Sequence, residues 1–115
     1  MSFKIKRVYE DPKPSDGIRV LVDRLWPRGL KKDAVPLDHW MKDAAPSPAL
    51  RQWFGHDPDR FTEFKRRYTA ELKSNSAMKE LRKLGTRRVV TLLYGARDPE
   101  INHAVVLLSA LRKAR

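Results

Sequence analysis

The sequence predicts an α/β fold: a small, mostly parallel sheet of about three or more strands covered by helices, in a single domain over residues 1–115. Three observations predict it. Arg19 to Asp23 and Arg88 to Tyr94 contain nearly continuous apolar runs too short for a typical helix, as in strands buried on both faces. The residues between them carry helical spacing and helix punctuation, and strands joined through helices pair in parallel. The chain has 115 residues, 41% hydrophobic and 34% charged, which suits one small core.

Each element follows in order. Phe3 to Tyr9 alternates apolar and basic residues, with Phe3, Ile5 and Val8 inward, and reads as a strand with one covered face. Glu10 to Gly17 is a break rich in proline and turn residues. It is short for a parallel crossover, so the first strand is either antiparallel or joined by an unusually tight crossover, with parallel preferred. The second strand is Arg19 to Asp23. Leu37, Trp40, Met41 and Ala44 recur at i, i+3, i+4 and i+7 and predict a helix ended by Pro46. Ser47 and Pro48 then supply an N-cap and first-turn proline, and Gly55 a left-handed stop.

Asp57-Pro58 repeats the start signal before a longer helix with Phe61, Phe64, Tyr68 and Leu72 inward. Asn75-Ser76 interrupts it, and Met78, Leu81 and Leu84 continue to Gly85. After the third strand, Gly95 to Glu100 is a loop. A final helix runs from about Asn102, its N-cap, to Arg115, burying Ala104, Val105, Leu107, Leu108 and Leu111.

Composition excludes several classes of function. No run approaches the ~20 apolar residues of a membrane span, and the first residues lack the apolar core of a secretory signal. There is no cysteine, hence no disulfide, thiolate nucleophile or cysteine metal site. These features predict a cytoplasmic protein with no membrane partner. His39 and Asp43 lie one helical turn apart but do not make a metal site, and the three histidines lack zinc spacing. No phosphate-binding loop, dinucleotide-binding glycine motif or nucleophile elbow is present, and no cofactor is predicted.

Ligands of open α/β sheets bind beyond the carboxyl ends of the strands. Here those ends are Asp23-Arg24-Leu25-Trp26-Pro27-Arg28-Gly29 and Tyr94-Gly95-Ala96-Arg97-Asp98-Pro99, running on to Asn102-His103. Arginine presents a fork matched to phosphate or carboxylate, so Arg24 and Arg28 are anion-binding candidates. Asp23 and His103 are the catalytic candidates, as acid/base or orienting groups. Tyr94 and Asn102 offer hydrogen bonds. Arg51 and His56, in the unusual stretch Arg51 to Pro58, are additional ligand-binding candidates.

The expected function is to bind or act on an anionic small molecule, phosphorylated ones included. The net charge of +11 also fits a nucleic-acid-binding module, which is the alternative. The basic residues are spread from Lys4 to Arg115, which favours distributed surface charge over one dedicated face. A protein-interaction role is the third reading and requires Trp26, Trp40 or Trp53 to form an exposed patch.

The stretches VLVDRLWPRG, LRQWFGHDP and VTLLYGARDPEINHA resemble the YeaO-like family of uncharacterised bacterial proteins, part of a larger group defined as a domain of unknown function. The resemblance covers nearly the whole chain. It implies a compact α/β domain in a bacterial cytoplasm and brings no substrate, cofactor or reaction. The wider group often carries Cys-His-Arg where this chain has Asn102-His103-Ala104, so His103 alone matches that trio.

Overall fold

The computed structural model describes residues 2–113. It contains a four-stranded sheet: β1 (Ser2–Arg7), β2 (Ile18–Leu21), β3 (His39–Trp40) and β4 (Val89–Tyr94). Their order across the sheet is β1-β4-β2-β3, and every pair is parallel. The parallel preference for the first strand therefore holds. β1 and β2 do not pair, because β4 lies between them. The short link over residues 8–17 crosses one face of β4, and Thr91 Oγ1 donates to the Asp16 carbonyl at 2.7 Å.

The period-2 pattern of the strands divides the molecule into two sides. Phe3, Ile5, Ile18, Val20, Val22, Val90, Leu92 and Tyr94 belong to the main core. Four helices cover this side: α1 (Pro48–Phe54), α2 (Phe61–Lys73), α3 (Ser76–Leu84) and α4 (His103–Arg112). Val8, Leu21 and Leu93 form a smaller core on the other side, under Trp26, Leu30, Val35, Leu37 and Trp40. Both faces of β2 and β4 are thus buried, as their apolar runs predict.

Helix punctuation follows the sequence closely. Ser47 Oγ accepts from the Leu50 amide, and Gly55 ends α1 in the left-handed conformation. Asn75 caps α3 through the Ala77 amide, and Asn102 caps α4 through the Val105 amide. In α4 the buried face is Ala104, Val106, Leu107 and Leu111, so Val106 takes the place expected of Val105, and Leu108 is half-buried. The predicted continuation of this helix over residues 114–115 lies outside the described residues.

The predicted helix over Leu37 to Ala44 does not form. Its place is taken by β3, which pairs with Val20 and Leu21, and by a single 3-10 turn at Lys42–Ala44. The apolar spacing misleads because its members serve opposite faces of the sheet. Leu37 and Trp40 pack into the smaller core, while Met41 and Ala44 pack into the main one. A helix would have sent all four the same way.

Candidate functional site

Because all strands run in parallel, β1, β2 and β4 deliver their carboxyl ends to one edge. A cavity of about 520 Å³ opens there on the helix side. Its lining includes Asp23, Arg24 and Arg28 after β2, Arg51 within α1 and His56 just after it, Arg97 after β4, and His103 at the start of α4. Arg7, the last residue of β1, completes it. Five arginines and two histidines therefore share a cavity with one carboxylate, Asp23. The size is that of an ordinary small-molecule site.

Asp23 and His103 form the floor. Asp23 Oδ2 accepts from the Gly95 amide at 2.8 Å. A Cβ at Gly95 would come within 3.0 Å of that same oxygen, so glycine permits the approach of the two loops. Asp23 Oδ1 is shut off from solvent without a well-formed hydrogen bond, and His103 Nε2 lies 3.2 Å away. That nitrogen also faces the Val22 carbonyl at 3.0 Å. Both neighbours are acceptors, which assigns the hydrogen of neutral His103 to Nε2 and leaves Nδ1 the basic nitrogen. Trp40 Nε1 donates to the Asp23 carbonyl at 2.7 Å and fixes the aspartate from the opposite side of the sheet.

The arginines fall into two sets. Arg7 Nε donates to the Ala96 carbonyl at 2.9 Å, and Arg24 Nε and Nη2 point at the Pro46 carbonyl at 3.4 and 3.3 Å. These two are held by backbone and are partly buried. Arg28, Arg51 and Arg97 are exposed, and their side chains make no hydrogen bond or ion pair among the described residues. His56 also lines the cavity and is the one non-glycine residue described with a positive φ, 58°. Histidine tolerates this region better than most residues, and Gly55 before it is left-handed too.

The structure brings together Asp23, Arg24, Arg28, Arg51, His56 and His103 from the sequence candidates. Tyr94 and Asn102, the other two sequence candidates, are not among the residues lining the cavity. Tyr94 is 3% exposed and belongs to the main core. Asn102 is 1% exposed and its amide serves the backbone: Oδ1 accepts from Val105, and Nδ2 donates to the Asp98 carbonyl at 2.7 Å.

Arg7 and Arg97 are the lining arginines that sequence reasoning did not select, and Tyr9, Leu25 and Phe54 are lining residues it did not select either. The strand-end rule reaches Arg7 once β1 is taken as parallel. Among the described residues, no group of three or more histidine, cysteine or acidic side chains is placed to hold a metal ion. No described helix is long and apolar enough to cross a membrane.

A family model described as the inactive DUF488-N3 subclade matches residues 2–115. The chain belongs to the DUF488-N3i family. It is 50% identical to uncharacterized proteins of Mycobacterium tuberculosis and Mycobacterium bovis over 108 residues, 94% of this chain and 92% of theirs. The uncharacterized protein YeaO of Escherichia coli is 42% identical over 113 residues, 97% of this chain and 98% of its own. The YeaO-like resemblance is thereby established. No solved structure matches the chain. In this DUF488-N3i member, no serine, threonine, cysteine or lysine lines the strand-end cavity.

Proposed function

We propose that the strand-end cavity binds a small phosphorylated anion and holds it without forming a covalent intermediate. The carrying observation is the convergence of five arginines on a cavity whose sole carboxylate is already engaged by Gly95 and His103. Arg28, Arg51 and Arg97 supply unpaired guanidinium forks, the groups best matched to phosphate oxygens. Arg7 and Arg24, held by carbonyls, supply fixed positive charge at the walls.

Two observations support binding over group transfer. The lining offers no serine, threonine, cysteine or lysine nucleophile, and its one carboxylate, Asp23, has Oδ1 shut off from solvent and Oδ2 on the Gly95 amide. The family description reads inactive. Asp23 and His103, the acid/base candidates, serve in this reading to orient the floor of the cavity.

A second trough of about 630 Å³ lies beside β1 on the other side of the sheet and is more open. Its lysines, Lys4, Lys6 and Lys13, are matched by Glu10, Asp11 and Asp16. That balance gives it no preference for anions.

The test is calorimetric titration with inorganic phosphate, glycerol phosphate and phenyl phosphate at physiological salt. At least one binds, and Arg51→Ala and Arg97→Ala each weaken it by about tenfold, more than an exposed ion pair contributes. Neither change alters the unfolding midpoint, since neither arginine supports the fold. Failure of all three probes to bind at millimolar concentration would overturn this reading. Binding of short nucleic acids alone, fading steeply as salt rises, would replace it with the field of the whole +11 surface.

A further inference from the structure

We infer that the ligand of this cavity is an organic phosphate whose body is apolar and planar, and that this body lies against Tyr9 and Leu25. The inference rests on the phosphate-binding reading above and adds the chemistry of the rest of the molecule.

Tyr9 and Leu25 are the large hydrophobic residues left exposed among those described, at 40% and 57%. Both line the same cavity. Single exposed apolar residues are ordinary on a protein surface. Here the two that are exposed converge on the place where cations also converge. The remaining walls continue the apolar character inward through Pro27, Pro46 and Phe54. A cavity of about 520 Å³ is far larger than an inorganic phosphate needs.

The Tyr9 ring is fixed before any ligand arrives. The Arg7 guanidinium lies over it, 4.6 Å from the ring centroid, and is itself tied to the Ala96 carbonyl. The Tyr9 hydroxyl donates to the Arg28 carbonyl at 2.8 Å. One side chain thus acts as the aromatic wall and also anchors the loop that carries an anion-binding arginine. Spacing between the apolar wall and the cations is set in advance, which lowers the ordering cost of binding a ligand that uses both. A purely hydrophilic phosphate ester would leave Leu25 and the ring in water and gain nothing from this arrangement.

The experiment compares phenyl phosphate with glycerol phosphate by titration calorimetry, on the wild-type protein and on Leu25→Ser. Covering about 60 Å² of apolar surface corresponds to about tenfold in affinity, so phenyl phosphate is expected to bind about tenfold tighter. Leu25→Ser should remove at least half of that preference on a logarithmic scale while leaving glycerol phosphate binding as it was. Leu25 is exposed, so an unchanged unfolding midpoint certifies the variant. Equal affinity for the two esters, or a preference indifferent to Leu25→Ser, overturns the inference and leaves phosphate binding standing. Binding of neither ester overturns the inference too; if inorganic phosphate also fails, the reading beneath it falls as well.

Discussion

His103 Nε2 lies 3.2 Å from Asp23 Oδ1 and 3.0 Å from the carbonyl of Val22, so one ring nitrogen ties the start of α4 to the end of β2. The aspartate is held in turn by the Gly95 amide after β4. Three segments meet at two side chains.

Asp23→Asn should therefore cost stability. The amide keeps one acceptor oxygen for Gly95 but turns an NH₂ group toward His103 Nε2–H. The expected loss is about 1–3 kcal/mol in urea unfolding. A double-mutant cycle with His103→Gln should give a coupling energy above about 0.5 kcal/mol. Simple additivity would show that the two side chains sit close without interacting.

A second prediction concerns the buried acid on the other side of the sheet. Asp16 is 3% exposed and contacts Lys6 Nζ at 3.0 Å and the Arg19 guanidinium. Burial pushes its carboxyl up, but the Lys13 amide, Lys6 and Arg19 outweigh that and hold it below the usual carboxylate range. A carboxyl lowered in the folded state contributes stability above its unfolded pKa and loses it as pH falls through the folded value. Asp16→Asn should cost about 3 kcal/mol near neutrality, because the buried Arg19 and the half-buried Lys6 lose their partner. On acidification the gap between wild type and variant should close. A gap that does not change with pH would separate Asp16 from the acid sensitivity of the protein.

The tightest glycine gives a third. Gly17 has φ 65°, and a Cβ there would run into the Val89 carbonyl. Gly17→Ala should lower stability by at least about 2 kcal/mol, combining left-handed strain with a backbone clash. Gly29 has φ 78° but open space around it, so Gly29→Ala should cost only about 1 kcal/mol. Equal costs in thermal or urea unfolding would mean that the crossover yields easily at Gly17.

Tyr68 supplies the fourth. Its hydroxyl is buried and donates to the Ala44 carbonyl. Burial first, then the charges of Glu71 and Asp23, raise its ionisation above the usual phenol range against the opposing effect of Arg24. In the unfolded chain the phenol ionises first, so stability from this group is full below about pH 10 and is lost as pH rises. Tyr68→Phe should cost about 1 kcal/mol at neutral pH and then decline less steeply than wild type in alkali. Parallel declines would remove Tyr68 from the alkaline transition.

Much of this molecule was legible in its sequence where a residue type has one mechanical use. Ser47, Gly55, Asn75 and Asn102 announced helix ends, and the apolar runs of β2 and β4 announced strands buried on both faces. Spacing failed at Leu37, Trp40, Met41 and Ala44, where helical periodicity arose from residues sorted to two cores. The cavity was half legible. Strand-end position found Asp23, Arg24, Arg28 and His103. Arg7 looked like the outward partner in an alternating strand, and its use depends on the direction of β1, which composition does not encode. Asn102 shows the converse: a capping residue has the chemistry of a ligand-binding group until its burial and its bonds to Val105 and Asp98 are seen.

The placement of β4 between β1 and β2 also sets a timetable. Ser2 pairs with Val89 and Arg7 with Tyr94, so the ladder of the first strand waits for residues nearly the whole chain away. Before β4 emerges, β2 has only the two-residue ladder with β3, and β1 has none. Closing loops of this length precedes any reward from strand pairing, which makes such topologies slow to fold. On the ribosome, the helices α1 to α3 are therefore synthesised before β1 can be joined to β2 in one sheet. β4 is the piece that converts separate segments into a protein, and the same event brings Gly95 to Asp23.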